Sequence, residues 1–120
     1  MVDDEPRFRE TASTLLRKKG FETTIAGSGE EAIRILGKTP YDVVVLDVKM
    51  EGMDGHMALE EIKKIAPQTQ VIMLTGHGSP DSAVNSRKLV AFDYLAKPCD
   101  IDILAAKINE AYAEIGRAHV

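Results

Sequence analysis

Three carboxylates, a hydroxyl and an ammonium each follow an apolar run in this 120-residue chain. Asp3 and Asp4 follow Met1-Val2, Asp47 follows Val43-Val44-Val45-Leu46, Thr75 follows Val71-Ile72-Met73-Leu74, and Lys97 follows Tyr94-Leu95-Ala96. Singly, each has a dull explanation: an Asp after a strand often only caps the next helix, a threonine can close a turn, and a loop lysine is usually solvated. Brought to one place they are costly without a ligand, since neighbouring carboxylates repel and take up protons unless a cation compensates. Hard oxygen donors supplied by few residues suit Mg²⁺, which keeps waters and often meets substrate phosphate. A hydroxyl donor and a lysine charge suit a phosphoryl group.

The elements that carry these groups decide whether they meet. Phe8, Ala12, Leu15 and Leu16 make one helical stripe between Pro6 and Lys19, with Gly20 as a stop. Phe21 to Ala26, with β-branched Thr23, Thr24 and Ile25, reads as a short strand, and Ser28 and Glu31 have the spacing of a capping box for a second helix ending near Gly37. Thr39-Pro40-Tyr41-Asp42 breaks the chain before the Val43 to Leu46 strand. A turn from Gly52 to Gly55 leads into a third helix, Met57 to Ala66, ended by Pro67. Gln70 to Thr75 is a further buried strand, and Ser79-Pro80-Asp81 opens a short fourth helix ending near Lys88. Phe92 to Leu95 is the last strand, and Asp100 to Ile115 closes with the clearest helical stripe, Ile101, Leu104, Ala105, Ile108, Ala111, Tyr112 and Ile115.

Strands separated by helices of this length pair in parallel through right-handed crossovers, and continuous apolar strands need helices on both sheet faces. In such α/β sheets ligands sit outside the carboxyl ends of the strands. That is where all five polar groups collect. The charge on Asp47 marks the point where a buried strand surfaces.

Composition sets the outer limits. At 44% hydrophobic and 28% charged, the chain has the make-up of one globular domain with a sizeable core. No apolar run approaches the roughly 20 residues of a membrane helix, and the first residues are acidic where a signal peptide is basic, so the chain reads as cytoplasmic. Cys99 alone cannot form an internal disulfide and, beside three scattered histidines, has no metal-ligand spacing; it reads as a structural thiol. A net charge of −4 argues against direct nucleic-acid binding by this domain, which needs a basic face. Gly27-Ser28-Gly29 lacks the third glycine of a nucleotide loop and reads as a helix entry.

The string Asp3-Asp4-Glu5, the segment LDVKMEGMDG from Leu46 to Gly55, Thr75-Gly76, and DYLAKP from Asp93 to Pro98 together resemble the receiver domain of two-component response regulators. The resemblance covers essentially the whole chain, read as a single receiver domain over residues 1–120. TGHGSPDSAV further resembles receivers that precede ATPase-type transcriptional activators. The resemblance implies a flavodoxin-like, doubly wound, five-stranded parallel sheet of order 2-1-3-4-5 flanked by five helices. It implies Asp47 as phosphoacceptor, Asp4 as main Mg²⁺ ligand with Asp3 helping through water, and the backbone carbonyl of Lys49 completing the protein ligands. Thr75 would donate to the phosphoryl oxygens, Lys97 would neutralise them, and Lys97-Pro98 would be a cis peptide.

The implied activity is that of a switch rather than an enzyme acting on a separate substrate. A phosphohistidine on a sensor histidine kinase or histidine phosphotransfer protein donates to Asp47, so no nucleotide pocket is needed. The Thr75 position then swings toward the phosphoryl group and Tyr94 turns inward behind it. The fourth helix, fifth strand and fifth helix form the remodelled face, through which homodimers form.

Several residues depart from the family pattern. Glu51 stands where proline is usual, Lys49 and His77 occupy the variable positions that tune access of water to the acyl phosphate, and Val90 replaces a glycine at the end of the fourth helix. The first strand is cut short, with only Met1 and Val2 before the acids, and the expectation is that the native chain begins upstream. Two other functions compete: a pseudo-receiver used only as an interaction module, and an aspartyl phosphohydrolase. The second is disfavoured because Lys49, not an acid, stands two residues after Asp47.

Overall fold

Val43-Val44-Val45-Leu46-Asp47 forms a strand because three β-branched residues favour the pleated backbone and both faces of the segment are covered. The structure, a computed structural model, describes residues 1–3, 5–48, 55–75, 91–96 and 100–118. In chain order the described elements are α1 (Pro6–Lys18), α2 (Gly29–Lys38), β1 (Val43–Asp47), α3 (Gly55–Ile65), β2 (Gln70–Thr75), β3 (Asp93–Ala96) and α4 (Ile101–Ala118). The three strands are parallel in the order β1-β2-β3, with Leu46 opposite Met73 and Met73 opposite Tyr94. The helix expected from Pro80 to Lys88 falls outside the described residues, as do Cys99 and Val90.

Alternation along the strands splits the core. Val44, Leu46, Val71 and Met73 pack on one face of the sheet with Ala32, Leu36, Ala58, Leu59 and Ile62 from α2 and α3. Val45, Ile72 and Leu74 pack on the other face with Leu16 of α1 and Leu104, Ala105, Ile108 and Ala111 of α4. The expected covering of both faces is therefore present, and it locks the register of β1, since a slip of one residue would exchange the two sets.

The helix ends follow the local signals. Pro6 opens α1 at a position that needs no N–H, and Gly20, at φ 98°, closes it in the left-handed region that favours glycine. At α2 the Ser28 hydroxyl accepts from the Glu31 N–H at 3.1 Å, while the Glu31 carboxylate reaches one residue further back, to the Gly27 N–H at 3.2 Å.

The strand expected at Phe21 to Ala26 is not formed: only Ala26 makes a bridge, to Val2. The reason lies in its partner. Met1 and Val2 supply the neighbouring edge, so the pairing is limited to Ala26 N–H donating to Met1 C=O at 3.0 Å, Asp3 N–H donating to Ala26 C=O at 3.1 Å, and the Met1 amino group donating to Thr24 C=O at 3.0 Å. A groove of about 660 Å³ lies beside this segment, lined by Met1, Phe21, Ile25, Val43, Ile108 and Tyr112 among others. Tyr112, expected in the apolar stripe of the last helix, is 58% exposed there, and Leu15 is likewise more exposed than its periodicity implies.

Candidate functional site

Val2 is the hinge on which the acidic site is built. It bridges Ala26 on one side and Leu46 on the other, both in parallel. Its N–H donates to Val45 C=O at 2.7 Å and its C=O accepts from Asp47 N–H at 3.0 Å. The chain therefore leaves the sheet at Asp3 next to the end of β1, and Asp3 and Asp47 stand at one carboxyl edge. Both are buried, Asp3 completely and Asp47 to 5% exposure.

Asp3 also organises the turn into α1, where its Oδ1 accepts from the Glu5 N–H at 2.9 Å. Asp47 is held from beneath by its strand and from above by the entry of α3. Gly55 N–H donates to Val48 C=O at 2.9 Å, and a Cβ built on Gly55 would fall 2.5 Å from the Asp47 carbonyl oxygen. Only a residue without a side chain lets α3 start this close to the strand end.

Thr75 continues the same edge. Asp47 pairs with Leu74, so Thr75 follows one residue later, half-buried and opposite Ala96. Tyr94 pairs with Met73, is half-buried, and packs against the cluster containing Val44, Leu46 and Met73. The neighbouring Asp93 is bound to Lys107 of α4 at 2.8 Å, and this hydrogen bond, followed by that to Glu110, holds the Lys107 ammonium above its ordinary range.

Of the residues expected to act together, the structure thus brings Asp3, Asp47 and Thr75 to one edge and puts Tyr94 beside them on the adjacent strand. Asp4, Lys49, Glu51, His77, Lys97 and Pro98 lie outside the described residues. No group of three His, Cys, Asp or Glu side chains fit to hold a metal occurs among the described residues. Two buried carboxylates with oxygen-only donors nonetheless fit a hard divalent cation, whose charge would offset their repulsion.

Two contributors escaped the sequence reading. Gly55 was legible only as part of a turn, not as a contact with Asp47. Arg9, whose Nη1 donates to the Asp3 carbonyl at 2.8 Å, carries no signal in apolar periodicity.

This arrangement can be set beside known proteins. A putative NtrX-like response regulator of Rickettsia bellii is 38% identical over 113 residues, covering 92% of this chain and 24% of the relative. The transcriptional regulatory protein GlrR of Escherichia coli K12 is 37% identical over 111 residues, covering 92% of this chain and 25% of GlrR. The chain thus spans about a quarter of the length of these curated relatives. Among solved structures, a response regulator receiver domain protein from Clostridium thermocellum is 40% identical with a TM-score of 0.89, the match covering 94% of this chain and 91% of that one. The profile of the response regulator receiver domain matches residues 1–109, and the chain belongs to that family.

Proposed function

We propose that this chain is a phosphorylation-activated signalling switch whose phosphoacceptor is Asp47. The observation that carries the reading is the joint burial of Asp3 and Asp47 at one strand edge, imposed by the hydrogen bonds of Val2. The donor is a phosphohistidine on a sensor histidine kinase or histidine phosphotransfer protein, in the cytoplasm. An oxygen of the Asp47 carboxylate attacks phosphorus, a P–O bond forms as the P–N bond breaks, and the released imidazole keeps the bonding pair. Catalysis of such a transfer is mainly alignment and charge neutralisation.

Asp3, Asp4, Asp47 and the Lys49 carbonyl are the groups that would hold Mg²⁺. When bound, Mg²⁺ supplies positive charge to the phosphoryl oxygens. Thr75 donates its hydroxyl to one of those oxygens, and the ammonium of Lys97, which follows β3, neutralises another. Lys97-Pro98 is read as the cis peptide that aims this ammonium.

Phosphorylation adds close to two negative charges at Asp47, which moving donors must answer. Thr75 and Tyr94 lie on adjoining strands and are suited to respond together. The signal leaves through the segment 80–88, β3 and α4, the face through which two copies associate. The parallel bridges of Val2 to Ala26 and Leu46 support the order 2-1-3-4-5 for the sheet, and five flanking helices complete this reading. GlrR is named a transcriptional regulatory protein, and this chain is read as the portion that receives the signal for such an output, without itself contacting nucleic acid.

The test is incubation with acetyl phosphate and Mg²⁺, followed by intact mass. A gain of one phosphoryl group, absent in Asp47→Asn, supports the reading. No gain would leave an interaction module, and release of many phosphates per chain would indicate a phosphohydrolase.

A further inference from the structure

The groove of about 660 Å³ between the start of β1 and the segment Phe21 to Ala26 is in the size range of sites that enclose a ligand. Its backbone is laid out for a parallel strand. Val45 C=O accepts from Val2 N–H, and Asp47 N–H donates to Val2 C=O, so the odd-numbered residues of β1 turn their peptide groups to this side of the sheet. Asp42 C=O and Val48 N–H bond on the opposite side, to Gln70 and Leu74. Alternation therefore points the Val45 N–H and the Val43 C=O into the groove.

The Met1 amino group stands at the head of the groove. It donates to Thr24 C=O at 3.0 Å, the place in the ladder that a strand N–H takes, and the bonds between Ala26 and both Met1 and Asp3 continue the same line. An ammonium carries three donors, so it can hold a carboxylate while keeping Thr24.

The walls fix the kind of side chain that fits. Met1 packs with the core cluster on the α1 and α4 face, and Val2 with that on the α2 and α3 face, as consecutive residues of an extended chain must. Both walls of the groove are apolar, with Ala32, Ile35 and Leu36 on one side and Leu16, Phe21 and Ile108 on the other. A strand laid between them has both faces covered and is apolar at every position rather than at alternate ones.

We infer that this groove is a docking site for an extended apolar peptide ending in a free carboxylate, which adds parallel to β1 with its last N–H on Val43 C=O and its carboxylate between the Val45 N–H and the Met1 ammonium. Strand addition of this kind draws affinity from main-chain bonds and selectivity from the pockets that take the side chains. An occupant of about four residues is roughly 13 Å long, which matches the run of lining residues from Val45 back to Tyr41. The site is independent of phosphoryl transfer at Asp47.

The experiment adds acetyl-Ser-Gly-Ser-Val-Leu-Val-Val, with a free carboxyl end, to the 120-residue chain and follows backbone amide resonances and the unfolding midpoint. The Val45 amide should shift as it gains the carboxylate, and the midpoint should rise with peptide concentration. The same peptide with its carboxyl end amidated should bind about tenfold more weakly, since a charged acceptor is lost. Tyr112 lines the groove and is 58% exposed, so Tyr112→Glu should weaken binding several-fold while leaving the midpoint of the peptide-free chain unchanged. A Val45 amide that does not respond, or equal affinity for the two peptides, would overturn the inference. Self-association that moves the same resonances without peptide would also overturn it, by giving the groove to a second copy of the chain.

Discussion

Asp47 N–H donates to Val2 C=O at 3.0 Å, and this single bond sets Asp3 beside the strand end that carries Asp47. Val2 is 4% exposed and packs in the core cluster with Ala26, Leu46 and Met73, so its side chain anchors the segment alongside the backbone hydrogen bonds. Val2→Ala should destabilise the chain by roughly 1 to 2.5 kcal/mol through lost burial and the cavity left behind. Urea unfolding measures this, and a midpoint equal to that of the wild type would show that the segment is not anchored through Val2.

Gly55 should tolerate no side chain. A Cβ there would lie 2.5 Å from the Asp47 carbonyl oxygen and 2.6 Å from Val48 Cα, both backbone atoms that cannot swing aside. Gly55→Ala should cost about 1 to 3 kcal/mol, in the range of overpacked cores. It should also shift the amide resonances of Asp47 and Val48. A helix-favouring gain in stability would contradict the close approach.

The Met1 amino group gives the 120-residue chain a pH dependence. Desolvation lowers its pKa from 8.0 to about 6. Its folded form thus favours the neutral amine, and the unfolded chain binds the extra proton between pH 8 and 6. Stability should be greatest above pH 8, fall as the pH drops from 8 to 6, and level off below. A full two-unit shift corresponds to about 2.7 kcal/mol, and the partial exposure of Met1 reduces the expected effect to about 1 kcal/mol. Denaturant midpoints across this window measure it, with the Nα-acetylated chain as control; a slope surviving acetylation would assign it to other groups.

Much of this architecture was legible because local pattern and burial agree. VVVLD and QVIMLT are apolar runs ending on polar residues, and both form strands; Thr75 is half-buried at the end of its strand, whereas Asp47, expected where the strand surfaces, stays buried. Ser28 caps α2 at the spacing expected. Phe21 to Ala26 misled because β-branched composition proposes a strand but only a partner creates one, and its partner is two residues long. Leu15 and Tyr112 fit their helical stripes by spacing, yet a stripe is wider than the surface that covers it. Gly55 and Arg9 act through contacts with residues elsewhere in the chain, where no periodicity points.

The central claim is that Asp47 forms an acyl phosphate. Borohydride reduces such a bond, converting the aspartate to homoserine and releasing the phosphoryl group. After incubation with acetyl phosphate and Mg²⁺, reduction and peptide mapping should find homoserine at position 47, and none when Mg²⁺ is chelated beforehand. Homoserine at another carboxylate, or none anywhere while the protein remains folded, would contradict the account.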